Sequence, residues 1–333
     1  MLIKYRTDTT SEAACKGLRR TRTGFTRISV RVLWGAILTA GTLAVMDQGG
    51  SASGQSSTAA VAQSPEDGER DAGVRSDQTA TRETPGPLVT DRPDFTESTE
   101  TVSPRWFQLE GGYTFTYDRE DDQRRREHAA PELLLRAGLA ERVELRLGWA
   151  GYAWTELHED AARGGGRTRG REDWSQGAAD VSFGLKVKLV DQAGLRPDFG
   201  VIVQATAPSG SPGYSSGDVD PEVKLLWAYE LTERFSLAGN VNLGVPTEEA
   251  HRFVQSSASV SLGMSVAERI GAYAEYFGFY PNAHGSDCAH YLNGGMTFLI
   301  TEDFQLDVRA GLGLNEEADD FFTGVGFAWR FGT

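Results

Sequence analysis

Charged side chains recur at alternate positions along several segments of the chain, with large apolar residues between them. Glu144 and Arg146, for example, are separated by Leu145. Successive side chains of a β-strand point to opposite faces, so this spacing places the charges on one face and the apolar residues on the other. Glu144 and Arg136 also flank a short connection, where they could meet across a hairpin. The charged positions are Glu110, Glu132, Arg136, Glu144, Arg146, Asp180, Lys186, Lys188, Glu222, Lys224, Glu230, Glu275, Asp307, Arg309 and Arg330.

Eight of these charged residues are acidic and seven are basic. Charges are costly when they stay unpaired in a narrow, partly dry interior, so the near balance predicts a paired network. Two roles fit such a network. The charges could fill a small barrel as structural material, or they could line a polar path for a small solute.

Other residues have types that could do chemistry, but their patterns are incomplete. Asp218, Asp220 and Glu222 are spaced like calcium ligands, yet an EF-hand loop needs more ligands at fixed positions and a helix on each side. His284 and Ser286 lie in one loop, as a hydrolase pair could, but no third residue with an orienting role can be named. We therefore predict no metal site, no cofactor and no catalytic site, and we do not expect an enzyme.

Composition and charge exclude several classes of protein. The chain has 33 basic and 47 acidic residues, for a net charge of −14, which argues against a nucleic-acid partner. Only two of the 333 residues are cysteines, which argues against a disulfide scaffold and a cysteine-ligated zinc module. The arginine-rich residues 163–171 could bind phosphates of surface polymers, although a flexible solvated loop is the simpler interpretation.

Strict alternation of apolar and polar residues continues from residue 105 to the end of the chain, which is typical of strands with one apolar face. Most of the alternating segments are about ten to thirteen residues long. The twelve segments are residues 105–117, 129–139, 143–155, 181–189, 198–207, 221–231, 235–245, 253–266, 270–280, 290–300, 304–314 and 321–331.

The connections between these segments alternate between short and long. Residues 140–142, 232–234, 267–269 and 301–303 make short turns, whereas the intervening polar loops are longer. Bacterial outer-membrane barrels have an even strand count, short periplasmic turns and longer extracellular loops. The sequence thus predicts an all-β protein, a transmembrane antiparallel up-and-down β-barrel of about 12 strands. A soluble β-sandwich also alternates, but its strands usually have about five to six residues.

The N-terminal part of the chain differs in composition from the alternating part. An uncharged stretch at residues 32–45 follows a basic leader, as in a secretory signal peptide, which we assign to residues 1–52. Residues 53–87 have almost no large apolar side chains and are predicted to be a disordered linker. We assign residues 88–104 to a periplasmic pre-barrel segment and residues 105–331 to the barrel.

Several stretches of the alternating part resemble a known family. They are LVTDRPDFTESTETVSPRWFQLEGGYTFT from residue 88, ELLLRAGLAERVELRLGW from residue 132, TAPSGSPGYSSGDVDPEVKLLWAYELTERFSLAGNVNLG from residue 206 and GVGFAWRF from residue 324. They resemble the outer-membrane transporter-like family named for the MetA pathway of phenol degradation. The resemblance implies an outer-membrane barrel with a transport role, and its strand and turn motifs say little about substrate.

These observations predict a channel or transporter in the outer membrane of a diderm bacterium, for passive passage of small solutes. The resemblance alone adds apolar or aromatic compounds to those solutes. The alternative is a barrel with no transport role, whose loops bind surface partners or whose lumen is sealed, and a less favoured one is an outer-membrane lipase. The expected partners are outer-membrane lipids, a small-molecule solute and the barrel assembly machinery.

Overall fold

The computed structural model describes residues 85–120, 123–159, 171–248, 250–282 and 286–332. The predicted signal peptide, and the predicted linker except for its last three residues, lie outside these ranges. No helix within the described ranges is long and apolar enough to cross a membrane.

The described residues form sixteen strands. In chain order they are β1 Trp106–Glu120, β2 Gln123–Ala140, β3 Val143–Trp149, β4 Tyr152–Glu159, β5 Arg171–Ala178, β6 Val181–Val190, β7 Asp198–Ala207, β8 Asp220–Glu230, β9 Phe235–Gly244, β10 Thr247–Glu248, β11 His251–Arg252, β12 Val254–Ala267, β13 Ile270–Asn282, β14 Ala289–Thr301, β15 Phe304–Gly313 and β16 Phe321–Gly332.

Fourteen of these strands form one antiparallel sheet, and the short β10 and β11 form a separate hairpin. β3 and β4 both pair with β2, and they are the two halves of one wall strand. β5 pairs with β4 and β6 pairs with β3, so β5 and β6 are likewise the two halves of one strand of the barrel wall. The fourteen strands of the sheet therefore make twelve strands of the wall. β1 pairs with β2 on one side and with β16 on the other, which closes the sheet. The predicted 12-stranded antiparallel barrel is confirmed.

Two stretches predicted as polar loops are partly strand. Residues 171–178 form β5, although the sequence pattern predicts a polar loop over residues 158–174 and no strand between residues 155 and 181. Likewise, residues 118–127 were expected to be a loop, but Asp118 pairs with Arg125 in the hairpin of β1 and β2. These strand ends carry charge on both faces because they extend past the lipid into water, where alternation is no longer required.

A kink divides the wall strand made of β3 and β4. Gly151 lies between the two halves with φ of 95°, a conformation that favours glycine. A β-carbon at this position would lie 2.7 Å from the carbonyl oxygen of Pro131 on β2, so a larger residue would also collide with the neighbouring strand. The kink lets one continuous wall strand change direction without breaking the barrel.

The polarity of the barrel is the reverse of that of a soluble protein. On β3, the side chain of Leu145 faces outward and the residue is 46% exposed, whereas its neighbour Arg146 faces inward and is 4% exposed. The same inversion holds on β6, where Leu185 is exposed and Lys186 is fully buried. An apolar outer surface around a polar interior is stable only in lipid, and only a closed sheet can cross lipid. The protein is therefore an outer-membrane β-barrel with the predicted register.

Candidate functional site

The polar interior of the barrel contains a segment of the chain itself. Residues 86–102, which we call the lumen segment, precede β1 and form no strand. Hydrogen bonds join this segment to inward-facing side chains of β1, β2, β3, β6, β8, β12, β13, β15 and β16. Because these strands lie on all sides of the barrel, the segment lies within the lumen. This position differs from the periplasmic location expected for residues 88–104.

Asp91 is the most heavily bonded residue of the lumen segment. One of its carboxylate oxygens lies 2.5 Å from Nη1 of Arg146 and 2.8 Å from Nζ of Lys186. The other oxygen accepts hydrogen bonds from the backbone N–H and the hydroxyl of Ser98, at 2.9 and 2.8 Å. All of the charged atoms in this group are nearly inaccessible to solvent. Asp91 thus neutralises wall cations that would otherwise be buried without enough negative charge.

The wall residues near Asp91 include Arg136 and Glu144, which form the ion pair that the sequence predicts across a hairpin. Arg136 donates from Nε and Nη2 to the two carboxylate oxygens of Glu144, each at 2.9 Å, in a bidentate arrangement. Nη1 of Arg136 lies 3.0 Å from Glu110 and 3.5 Å from Asp91. Glu110 in turn accepts hydrogen bonds from the backbone N–H of Asp91, at 3.2 and 3.1 Å. The network therefore closes only when the lumen segment is present.

Arg92 lies in a cradle formed by two glycines of adjacent strands. Gly112 on β1 and Gly326 on β16 are register partners, and both occupy positions of their strands that face the lumen. A β-carbon at either position would lie 2.4 Å from the Arg92 guanidinium group. The guanidinium also pairs with Glu132 at 3.2 Å and with Asp307 at 3.4 Å. The two glycines are thus explained by the close approach of Arg92.

Two glutamates of the lumen segment neutralise further charge on the cations of β3, β6 and β8. Glu97 lies 2.9 Å from Arg146 and 2.6 Å from Nζ of Lys224. Glu100 lies 2.5 Å from Nζ of Lys188. Both glutamates extend the charge network from β3 around the barrel to β6 and β8.

The far side of the lumen segment is held by Glu275 on β13. Its carboxylate accepts the backbone N–H of Phe95 at 2.9 Å and that of Thr96 at 2.7 Å. Asn293 donates to the same carboxylate at 2.9 Å, which fixes its orientation. The hydroxyl groups of Thr96 and Ser259 lie 2.7 Å apart.

The other predicted lumen residues have more varied positions. Arg309 donates to the carbonyl of Pro93 at 3.1 Å, and Arg330 donates to that of Gly86 at 2.6 Å, so both contact the lumen segment. Glu222 instead accepts from Gln204 on the neighbouring strand at 2.8 Å.

Asp180 and Glu230 serve other parts of the barrel. Asp180 accepts backbone N–H groups of Ser209, Gly210 and Ser216 at 2.7 to 2.9 Å, so it orders the loop between β7 and β8. Glu230 is exposed at the end of β8 and lines a cavity.

Two cavities lie against the lumen segment. One, of about 430 Å³, extends toward the end with the short turns and includes Ser261 and Tyr273 in its lining. The other, of about 280 Å³, includes Glu132 in its lining. Arg92 and Asp94 line both cavities.

A contact between a loop and a strand lies at the end of the barrel with the long connections. Asp319, between β15 and β16, pairs with Arg125 on β2. Burial raises the pKa of Asp319 to about 6, while the charge of Arg125 acts in the opposite direction. This contact is therefore fully ionic only above that pH.

Sequence reasoning missed the charged residues of the lumen segment because it considered only alternating positions. Asp91, Arg92, Asp94, Glu97 and Glu100 follow no strand pattern. Two signals were available. The segment is rich in charge next to a linker of small residues, and glycines occupy inward positions of the predicted strands where a side chain would be expected.

The weaker chemical candidates are only partly visible. Ser286 is buried, but its proposed partner His284 lies outside the described residues, as do residues 163–170 of the arginine-rich stretch. Asp218 pairs with Arg252, and Asp220 accepts a hydrogen bond from Thr247. Among the described residues, no group of three or more histidine, cysteine or acidic side chains could hold a metal ion.

Comparison with known families gives the barrel and its lumen segment an identity. The model of the family described as "Putative MetA-pathway of phenol degradation" matches residues 90–331. The chain belongs to this family. The matched region begins within the lumen segment, so it includes most of that segment as well as the wall. No curated protein matches the sequence.

Three solved structures are similar to this chain over most of their own length. The COG4313 outer membrane channel from Pseudomonas putida F1 has 14% identity and a TM-score of 0.48, over 70% of this chain and 98% of its own. The NanC porin has 8% identity and a TM-score of 0.40, over 68% and 100%. The CymD monoaromatic hydrocarbon channel has 8% identity and a TM-score of 0.37, over 70% and 90%.

Proposed function

We propose that this protein is an outer-membrane channel for passive passage of small solutes, closed by its lumen segment and opened when that segment moves. One observation carries the proposal: the buried cations of the wall are neutralised by carboxylates of a segment that is not part of the wall. Asp91, Glu97 and Glu100 supply this charge. A lumen that pairs with a separable piece of chain can exist in a filled state and an empty one.

The lumen segment can leave without breaking the sheet. β1 already pairs with β2 and β16, so closure does not depend on residues 86–102. The segment contacts the wall through side chains and isolated backbone hydrogen bonds, and the single bridge nearby joins Pro104 to Gly138. A tight turn from Ser103 to Trp106, with Arg105 at φ of 66°, connects the segment to β1. This turn is a natural pivot for movement toward the periplasm.

An emptied lumen would be wet and lined by charges of both signs. Such a lining conducts ions and admits small polar molecules. The family description adds phenol degradation as a context, so we include small aromatic compounds among the solutes. Insertion by the barrel assembly machinery stays a prediction.

The competing interpretation is a permanently filled barrel. It is favoured by the extent of the buried pairing, since separating several buried ion pairs is costly. Conduction distinguishes the two, because a permanently filled barrel carries little current and admits no sugar-sized solute.

The test is reconstitution of the purified protein in planar bilayers and in liposomes. We expect single-channel traces that move between a low level and a much higher one, and swelling of the liposomes in isotonic solutions of small sugars. Protein-free membranes are the control. Uniformly silent bilayers, together with liposomes that do not swell, would support the sealed barrel.

A further inference from the structure

An aromatic cluster lies inside the barrel, toward the end with the long connections. It comprises Phe277 and Phe279 on β13, Tyr291 on β14 and Phe322 on β16, all nearly inaccessible to solvent. These residues have the same inward parity as Glu275, two positions before Phe277. An apolar group in a lumen that is otherwise lined by polar side chains requires an explanation other than contact with lipid.

The lumen segment adds one ring to this cluster. Phe95 stacks on Phe277 with ring centroids 4.7 Å apart and planes at 9°. Phe277 stacks in turn on Tyr291, at 4.8 Å and 12°. Phe279 meets Phe95 edge-on, at 5.3 Å and 78°. Phe95 is therefore the terminal ring of a three-ring stack, and the other two rings belong to the wall.

The ring and the backbone of Phe95 are held by different groups. Glu275 accepts the backbone N–H groups of Phe95 and Thr96, whereas the ring packs against the apolar cluster, on Phe277 and Phe279. Phe95 is also only partly buried, unlike the wall rings that it contacts. Another ring could thus replace that of Phe95 without any change in the wall.

We propose that Phe95 occupies a binding subsite for a monoaromatic solute, and that such a solute favours release of the lumen segment by taking the place of this ring. The inference rests on the proposed function, since it makes the solute a ligand of the open state. A ligand that binds only when Phe95 has left shifts the population toward that state. Recognition depends on stacking geometry, so a flat ring should be preferred over a saturated ring of equal size.

The direct test is binding of benzyl alcohol, with cyclohexylmethanol as the matched saturated control, to the full chain in detergent. Phe95→Ala leaves a ring-shaped apolar space, which is the kind of cavity that binds aromatic molecules. We expect Phe95→Ala to bind benzyl alcohol at least tenfold more tightly than the unsubstituted protein, as measured by saturation-transfer NMR. Cyclohexylmethanol should gain less than threefold. Adding Phe277→Ala should remove the preference.

Equal gains for the two alcohols, or no gain for either in a folded Phe95→Ala protein, would overturn the subsite. A second measurement needs no substitution. Benzyl alcohol should increase the open fraction of the unsubstituted channel in planar bilayers at least threefold, and cyclohexylmethanol, which perturbs lipid similarly, should not. An identical response to the two would overturn the coupling.

The failures of this inference and of the proposed function are distinguishable. A channel that conducts while Phe95→Ala ignores benzyl alcohol would remove the subsite and keep the channel. Ring binding by Phe95→Ala in a barrel that never conducts would keep the subsite and remove the channel.

Discussion

Asp91→Asn is expected to increase the open fraction of the channel on the order of a hundredfold. The side chain of Asp91 meets Arg146 and Lys186 inside the barrel, and Arg136 is 3.5 Å away. Removing one partner of a buried ion pair costs about 3 to 5 kcal/mol. That cost falls on the closed state alone, because in the open state water solvates both the segment and the wall. Since about 1.4 kcal/mol corresponds to a factor of ten, the lower value already gives a hundredfold shift.

Single-channel recording measures this shift, and two further variants make it specific. Asp173→Asn is the matched control, since Asp173 pairs with Arg171 on an exposed part of β5 and should leave the open fraction unchanged. Gly326→Val removes no charge but fills the cradle of Arg92, so it should also increase opening. If Asp91→Asn and Gly326→Val both had the same open fraction as the unsubstituted channel, the lumen segment would not be the gate.

Leu225→Arg is expected to prevent insertion of most of the protein into lipid. Leu225 lies five residues from each end of β8, is 53% exposed, and has Val201 and Val241 as register partners on the neighbouring strands. These apolar side chains face the middle of the bilayer. An arginine at that depth costs about 2 to 4 kcal/mol in outer-membrane barrels. Folding into lipid vesicles, followed by the heat-modifiable mobility of the folded band, measures the loss.

The adjacent position provides the control for register. Lys224 has the opposite parity and pairs with Glu97 of the lumen segment at 2.6 Å. Lys224→Met should therefore fold into vesicles as well as the unsubstituted protein, while it loosens the segment and increases opening. Equal tolerance of Leu225→Arg and Lys224→Met in the folding assay would mean that the two faces of β8 had been exchanged.

The wall was predictable from the sequence because its pattern is local. A strand that separates lipid from a polar lumen must alternate, and the register of Leu145 and Arg146 follows from that alone. The pairing of Arg136 with Glu144 was also visible, since both flank one tight turn. Alternation failed for β5 and for the outer hairpin of β1 and β2, where the strands leave the lipid and charges occur on both faces.

The candidate site was only half predictable because its other half is non-local. Asp91 is 55 residues from Arg146 and 95 from Lys186 along the chain, and no periodicity joins them. The predicted balance of eight acids and seven bases suggested that the wall could pair with itself. The structure shows that the wall does this only in part: Arg146 pairs with Glu144 of the wall, but it also pairs with Glu97, and Lys224 lies nearer to Glu97 than to Glu222. A segment without secondary structure leaves no pattern, and its position follows from charges that only the closed barrel brings together.

The most direct test of the gating account is a reversible disulfide between the lumen segment and the wall. The hydroxyl groups of Thr96 and Ser259 lie 2.7 Å apart, so cysteines at both positions are within reach of a disulfide. A Cys pair at Asn242 and Ser257, register partners on β9 and β12, joins two wall strands and serves as the control. Oxidation of the Thr96→Cys, Ser259→Cys protein should abolish the high-conductance level, and reduction should restore it, while the control conducts in both states. A high-conductance level of unchanged frequency in the fully oxidised Thr96–Ser259 variant would contradict the account.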